Sequence, residues 1–139
     1  MSNPTISGRC LCGAVQFRVR RSFLGGVKCY CRMCRQAHGG PYSLHVAMRR
    51  DQFELVDGRL EVYASSSHGR REFCPQCGSH VLVHGQTADG SVAVPAGLLD
   101  AGEVVVTAHI FVDDLVSWHQ ITDDLPQHAA WPPAVQLPA

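Results

Sequence analysis

The chain carries the run CPQCG at residues 74–78, a pair of cysteines set around a tight turn. Pro75 fixes its own φ angle, and Gly78 can take a positive φ as the backbone folds around the second sulfur. A second pair lies far upstream, in the run CLCG at residues 10–13. Two such pairs complete a closed tetrahedral set of thiolates, the ligand set of structural zinc. We therefore expect a structural zinc ion on Cys10, Cys12, Cys74 and Cys77.

The upstream pair has the spacing of a strand. Residues i and i+2 of a strand point to the same face, so Cys10 and Cys12 can both reach one ion from a strand. A [4Fe–4S] cluster is the alternative occupant of four thiolates, although its usual cysteine spacings differ from these.

The remaining cysteines lie in the run CYCRMC at residues 29–34. Cys29, Cys31 and Cys34 offer three thiolates and leave a fourth metal position open, as catalytic zinc sites do. Zn²⁺ with three thiolates has a net charge of −1, which suits an incoming thiol better than a water or a carbonyl. The alternatives are that a histidine closes this site, or that the thiols hold no metal and are prone to form disulfides.

The total of 7 cysteines is odd, so disulfide pairing would leave one thiol over. The polar residues 1–4 do not resemble a signal peptide, and thiols stay reduced in the cytoplasm. No apolar run approaches the roughly 18 residues that cross a bilayer. We expect a cytoplasmic protein that does not bind a membrane.

Length and net charge further limit the number of domains and the kinds of partner that the chain can have. The 139 residues predict a single domain over residues 1–139. The 12 Lys and Arg balance the 12 Asp and Glu, so the net charge of zero predicts no nucleic-acid partner.

Alternating apolar and polar residues predict a mainly β fold of short antiparallel strands, a sandwich or a barrel. Glycine-containing turns separate the strands, and helix is expected only as single turns after Cys31 and around Asp51. The prolines near the C-terminus exclude a central strand or a helix there, and either Trp131 anchors this tail to the body or the tail is frayed. The predicted strands are 15–20, 42–48, 60–62, 81–83 and 104–112, and the predicted turns are 25–26, 39–41, 57–58, 89–90 and 101–102.

Five runs follow one another in a characteristic order. They are GRCLCG at 8–13, CYCRMC at 29–34, REFCPQCG at 71–78, GLLD at 97–100, and HIFV at 109–112 followed by Trp118. This series resembles the glutathione-dependent formaldehyde-activating enzyme family, also called the CENP-V/GFA domain. The resemblance covers a core of about residues 6–126 and leaves the proline-rich tail, 126–139, outside.

The resemblance implies an Mss4-like β-rich fold and two zinc ions. The structural ion lies on the four cysteines named above, and the second, weaker and catalytic ion lies on Cys29, Cys31 and Cys34. It also implies the joining of glutathione to formaldehyde to give S-hydroxymethylglutathione, a carbon–sulfur lyase reaction in the reverse sense. Tyr30 stands where the family usually has histidine, which removes a possible proton carrier.

Residues beside the open site are candidate substrate contacts. Arg32 and Arg35, with Lys28, could receive the carboxylates of a glutathione-like ligand, and Tyr30 lies among them. The alternative for the cations is a solvated face. His80 and His109 are expected to be satisfied structural histidines, either of which could still reach the second zinc, and Trp118 is expected in the core.

Two functions of different classes remain. The first is a zinc-dependent carbon–sulfur lyase-like enzyme that handles an adduct of a small thiol such as glutathione with formaldehyde or a related aldehyde. The second is a non-catalytic Mss4-like zinc module that binds a protein partner. A cleft ending at Cys29, Cys31 and Cys34 favours the enzyme, whereas an exposed apolar patch favours the module.

Overall fold

The computed structural model describes residues 4–21, 24–85, 90–100 and 102–132. Within these residues ten strands alternate with one short α-helix and three 3₁₀ turns. The strands are β1 Thr5–Arg9, β2 Gln16–Arg20, β3 Leu24–Cys29, β4 Ser43–Met48, β5 Phe53–Asp57, β6 Glu61–Ala64, β7 Arg70–Phe73, β8 His80–His84, β9 Val92–Pro95 and β10 Val104–Ile110. The helix α1 is Arg32–His38, and the 3₁₀ turns are Arg50–Gln52, Ala96–Leu98 and Val112–Asp114.

The strands form two sheets. The smaller has the order β1-β2-β5, and the larger has the order β10-β3-β4-β9-β8-β7-β6. Across the described ranges every strand pairing is antiparallel except β3 with β10, which is parallel. The predicted mainly β, antiparallel fold is therefore confirmed, with one parallel pair added.

Apolar residues of both sheets pack into one core. Phe17 of β2 and Phe53 of β5 stack with ring centroids 5.3 Å apart. Val46 and Met48 of β4 meet them from the larger sheet. Two thiols, Cys10 and Cys74, are buried in the same core, so the first cysteine cluster lies where the two sheets meet.

All five predicted strands are present, within a few residues of their predicted bounds. Five others were not predicted, and β3 shows why. Its two glycines suggested a turn, yet Gly26 lies inside the strand with neighbours on both sides. A Cβ at Gly26 would lie 2.9 Å from Val104 Cγ1 and 3.1 Å from Leu44 Cδ1. Close packing, and not a turn, explains the glycine at that position.

Helix is scarce, as predicted, but the helix after Cys31 is longer than the single turn that was expected, and the 3₁₀ turns Ala96–Leu98 and Val112–Asp114 were not predicted. The segment after Cys31 is α1, with seven residues, and it ends at Gly39 with a left-handed φ of 75°. The turn near Asp51 is the 3₁₀ turn Arg50–Gln52. No helix of the described residues is long and apolar enough to cross a membrane.

The tail runs along the outer strand β10. His109 donates its N–H to the Pro126 carbonyl and accepts one from His128, each at 2.9 Å. Trp131 packs edge-on against Phe111 with ring centroids 5.2 Å apart, as the anchor prediction requires. Residues 133–139 and the first residues of the predicted turns 89–90 and 101–102 lie outside the described residues.

Candidate metal centres

The first cysteine cluster is built from the loops of two hairpins. Cys10 and Cys12 lie in the connection from β1 to β2, and Cys74 and Cys77 lie in the connection from β7 to β8. One hairpin belongs to each sheet. A metal ion held by all four thiols would therefore join the two sheets directly.

Both loops use the same backbone device. The Gly13 N–H bonds to the Cys10 carbonyl at 3.2 Å, and the Gly78 N–H bonds to the Cys74 carbonyl at 2.8 Å. Both glycines have a positive φ, 81° and 80°, which confirms the prediction for Gly78. The placement of Cys10 and Cys12 on a strand was wrong, because β1 ends at Arg9 and a glycine-closed turn follows.

The sulfur spacing of this cluster fits a tetrahedral ion. All four ligand atoms lie within 4.8 Å of one another. The sulfurs of Cys10 and Cys12 are 3.7 Å apart, and those of Cys12 and Cys74 are 3.8 Å apart. A tetrahedron with Zn–S bonds of ~2.3 Å has edges of about 3.8 Å. The residues therefore fit a zinc ion as they stand.

The charge of this cluster is set by local donors. The Ser79 hydroxyl lies 3.3 Å from the Cys77 sulfur. Hydrogen bonds from this hydroxyl and from the Ser79 backbone lower the pKa of Cys77 to about 5. The cluster therefore already favours a thiolate, the form that binds a metal.

The second cluster comes from one continuous segment. Cys29 is the last residue of β3, Cys31 is the N-cap of α1, and Cys34 lies in its first turn. The Cys31 sulfur accepts the Cys34 N–H at 3.4 Å, which fixes the start of the helix. The three ligand atoms lie within 4.8 Å of one another, and this group contains no histidine.

Negative charge in the second cluster collects on Cys34. Hydrogen bonds from the Cys29 and Cys31 thiols, and then from Ser43 and Arg71, lower the pKa of Cys34. The hydrogen bond with Cys31 raises the pKa of Cys29 in turn. Three adjacent thiols can therefore release protons only stepwise, and a cation at their centre would favour the release of all three.

A cavity of about 380 Å³ opens on this second cluster. All three cysteines line it, together with Arg32 and Arg71. Its other walls come from the β7–β8 hairpin and from the region after β10. The lining residues there include His84, Phe111, Asp114 and Trp131. The volume lies near the small end of ligand pockets, roughly 300–1,000 Å³.

Of the candidate substrate contacts, the structure brings Arg32 to this cavity. Tyr30 is 0% exposed, so its side chain is closed to a ligand. The Nε of Arg35 is buried, and Arg35 does not line the cavity. The ammonium of Lys28 lies 4.7 Å from the Tyr42 ring centroid, away from the cavity lining.

Arg71 was missed from the sequence. It is buried, it lines the cavity, and its Nη2 donates to the Cys34 sulfur at 3.6 Å. Its positive charge thus lies beside the thiol where negative charge collects. Arg71 opens the run REFCPQCG, so a signal was present, but the run seemed to serve only the first cluster.

Tyr30 belongs to a hydrogen-bond chain that runs from the core to the exposed Asp123. Its hydroxyl lies 2.8 Å from His109 Nδ1, and His109 Nε2 lies 2.8 Å from Asp123 Oδ1. The carboxylate accepts the Nε2–H, which leaves Nδ1 to accept the tyrosine proton. Burial raises the pKa of Tyr30 to about 12, and the bond to His109 lowers the pKa of Asp123. This chain fixes the Cys29–Cys31 segment against β10 and makes His109 the satisfied structural histidine that the sequence predicted.

His80 differs from that prediction. It joins His38 and His45 in a group behind Cys34, with ring centroids of His38 and His80 5.0 Å apart and those of His38 and His45 5.2 Å apart. Burial lowers the pKa of all three. Within the described part of the chain, five buried side-chain nitrogens have no hydrogen-bond partner, and all lie in this region: Arg35 Nε, His38 Nε2, His45 Nε2, Arg71 Nη1 and His80 Nδ1.

The prediction for Trp118 was wrong. Its side chain is 71% exposed. The apolar strand β10 that was expected to carry it inward ends at Ile110, and Phe111 takes a left-handed φ of 57° that turns the chain away.

Two sheets joined at a four-cysteine cluster, with a three-cysteine cluster on a cavity, define a β-rich protein with two candidate metal centres. Its family follows from sequence comparison. The family model described as glutathione-dependent formaldehyde-activating enzyme matches residues 5–114. The chain belongs to this family, as the resemblance of its motifs predicted.

Individual relatives agree with this assignment. A curated protein of Halomonas elongata, named "Putative glutathione-dependent formaldehyde-activating enzyme", is 34% identical over 87 residues, 56% of this chain and 55% of that protein. The match therefore spans about half the length of that relative. A crystal structure of a Rhodobacter sphaeroides protein covers 73% of this chain and 99% of its own, with a TM-score of 0.60 and 24% identity. At that identity it supports the fold alone.

Proposed function

We propose that the chain is a zinc-dependent carbon–sulfur lyase-like enzyme. Its substrate is an adduct of a small thiol, such as glutathione, with formaldehyde or a related aldehyde. The observation that carries the proposal is the second cluster, three cysteines that together line a cavity of ligand size. A cavity that ends at these three cysteines favours the enzyme over a non-catalytic module. Because all seven thiols are unpaired, we place the protein in the cytoplasm.

The donor sets support zinc in both clusters. Four thiols at tetrahedral spacing suit a structural ion, and three thiols on a cavity suit an ion with an open position. When bound in the second cluster, zinc supplies positive charge that keeps a further thiol ionised at neutral pH.

The chain's own residues prepare the second cluster for an additional negative charge. Three thiolates around a divalent ion have a net charge of −1, and a fourth thiolate would make the net charge −2. The Arg71 guanidinium contacts Cys34 and offsets one of these charges. Because Arg71 and Cys34 are both buried, that contact is poorly screened by solvent.

Other residues select and orient the ligand. Arg32 follows Cys31 at the start of α1 and lines the cavity, where its guanidinium can bind a carboxylate of a glutathione-like ligand. Phe111 and Trp131 supply an apolar part of the cavity wall. The Tyr30–His109–Asp123 chain holds the cysteine segment still while a ligand enters.

Cobalt substitution tests the proposal. Protein loaded with two Co²⁺ ions is titrated with glutathione, and with S-methylglutathione as the blocked control. We expect thiolate-to-cobalt charge-transfer absorption to grow with glutathione alone, and Cys34→Ser to abolish the growth. In parallel, exchange NMR should show that the zinc protein accelerates the exchange between glutathione and S-hydroxymethylglutathione in the presence of formaldehyde. Unchanged absorption in the fully loaded protein, or no acceleration, would overturn the proposal.

A further inference from the structure

The wall contributed by the β7–β8 hairpin carries a histidine paired with a carboxylate. His84 Nε2 is in direct hydrogen-bond contact with Glu72 Oε2. In the strand register Glu72 pairs with Leu82, so His84 is its diagonal neighbour on the same face of the sheet. The two side chains are 16% and 18% exposed, so the contact is largely shielded from water.

This histidine shares the cavity with the second cysteine cluster. Among the described residues that line the cavity, His84 is the only histidine, and Asp114 is the only carboxylate. Glu72 contacts Nε2 of His84. Within the part of the chain that the structure describes, Nδ1 of His84 makes no hydrogen bond. A histidine that lines a cavity and is held by a carboxylate through one nitrogen has the arrangement of an oriented acid–base group.

Addition of a thiol to an aldehyde involves two proton transfers that such a group can carry out. The S–H bond breaks, a carbon–sulfur bond forms, and the carbonyl electron pair moves to oxygen, which then takes a proton. One imidazole can accept the proton that the thiol gives up and donate it to that oxygen, so no further reactant is required. Tyr30 stands where the family usually has histidine. Its side chain is buried and hydrogen-bonded to His109, so it cannot act as this acid–base group.

We propose that His84 is the acid–base residue of this cavity and that Glu72 is its positioning residue. The inference rests on the proposed function and extends it. In the reverse direction His84 takes the hydroxyl proton of the adduct, the carbon–sulfur bond breaks, and the thiol is regenerated. His84 and the three cysteines line the same cavity, and its volume of about 380 Å³ holds one small ligand between them.

A purely structural role is the competing explanation for the pair. A cross-strand ion pair would stabilise the β7–β8 hairpin whether or not a ligand binds. The two explanations differ in the dependence of the rate on pH. An acid–base imidazole contributes a limb to the pH–rate profile, and a purely structural one does not. The other charged groups that face His84 or line the cavity are Arg70, which pairs with His84 across the hairpin, Glu72, Arg71, Arg32, Asp114 and the cysteine cluster.

The test compares His84→Gln and Glu72→Gln with His68→Gln in the zinc-loaded protein. His68 is exposed and does not line this cavity, so it is the matched control. The glutathione–formaldehyde exchange rate is measured by NMR from pH 6 to pH 8, and the glutathione-dependent cobalt band is measured for each variant. We expect His84→Gln to lose about 100-fold or more in rate and to lose the neutral-pH limb of the profile, with the cobalt band kept. Glu72→Gln should lose about tenfold, and His68→Gln should match wild type.

Each other outcome has a definite meaning. If His84→Gln keeps the wild-type rate and profile, the inference fails and the proposed function stands. If it loses the cobalt band along with the rate, the role is structural and the inference also fails. If wild type itself gives no acceleration, the proposed function fails and takes the inference with it. Should His84→Gln not fold, Glu72→Gln decides, since an unchanged rate and pH profile in that variant overturns the inference.

Discussion

The two cysteine clusters use the same ligand but are built in opposite ways. In the first, thiols 62 residues apart meet because two hairpins, one from each sheet, place their loops together. In the second, all three thiols come from residues 29–34, and the rest of the fold supplies only the surroundings. An ion in the first cluster would hold distant parts of the chain together, whereas an ion in the second would tie a short segment to itself. The same chemistry would therefore support the fold in one place and leave a metal position open to a ligand in the other.

The burial of the individual thiols predicts the opposite order of importance for the two clusters, so the comparison can be tested. Cys34 of the second cluster is only 6% exposed, whereas Cys77 of the first is partly exposed. If thiol packing alone set the stability, replacing Cys34 would cost more than replacing Cys77. The metal-centred account predicts the reverse order.

The largest effect is expected from Cys77→Ser. It removes one of four ligands from the ion that joins the sheets, and structural zinc binding is worth ~10–16 kcal/mol against a domain stability of ~5–15 kcal/mol. Even partial loss should leave the protein unfolded or insoluble. Circular dichroism and zinc content of the purified variant provide the check, and a folded variant that retains two zinc ions would contradict the account.

Cys34→Ser should lose the second metal and keep the fold. The segment it anchors remains tied by β3 and by the Tyr30–His109 bond, so the melting temperature should fall by only a few degrees. Thermal melts and metal counts decide the matter. Unfolding as complete as that of Cys77→Ser would make both ions structural and would favour the non-catalytic module.

Acid should act in part through the histidines behind the second cluster, in addition to protonating the thiolates that would hold a metal. Burial lowers the pKa of His45 to about 4, whereas an unfolded chain has a histidine pKa of about 6.5. The unfolded chain therefore takes up a proton first, so stability is complete above about pH 6.5 and falls towards pH 4, by about 2–3 kcal/mol.

Urea unfolding at several pH values tests whether the free energy of unfolding falls as the pH falls. His45→Gln should flatten the decline between pH 6.5 and pH 5, whereas His68→Gln, at an exposed site, should keep the wild-type slope. Equal slopes for His45→Gln and wild type would show that acid acts through other groups.

The smallest effect is expected from Arg71→Met. Losing the bond to Cys34 should weaken metal binding in the second cluster about tenfold, the lower end of the ~1.5–3 kcal/mol range of charge-assisted hydrogen bonds, because the contact to sulfur is long at 3.6 Å. Arg70→Met, at the exposed neighbour on β7, is the matched control. Competition with a chromophoric chelator measures both, and equal affinities would remove Arg71 from the site.

Local chemistry explains what the sequence could predict. Cysteine spacing and the following glycines are properties of a few adjacent residues, so both clusters were found, as were the strands with clear alternation. The strand β3 was missed because the glycine at position 26 is explained by the close packing of Val104 and Leu44. Only the order of strands in the sheet brings these two residues near it.

The surroundings of the second cluster depend on long-range packing. Arg71 reaches Cys34 across 37 residues, and His84 meets Glu72 through the register of a hairpin. The exposure of Trp118 depends on the left-handed Phe111, which no residue-type preference predicts. Such contacts follow from the assembled sheets and cannot be obtained from spacing.

Stepwise metal removal from the wild-type protein tests the central claim most directly. The two-zinc protein is titrated with a chelator of increasing strength, and zinc content and the far-ultraviolet circular dichroism are recorded at each step. We predict that one zinc leaves first with the fold intact, and that the loss of the second coincides with unfolding. Release of both ions together, or a folded protein without zinc, would contradict the division between a structural and an open site.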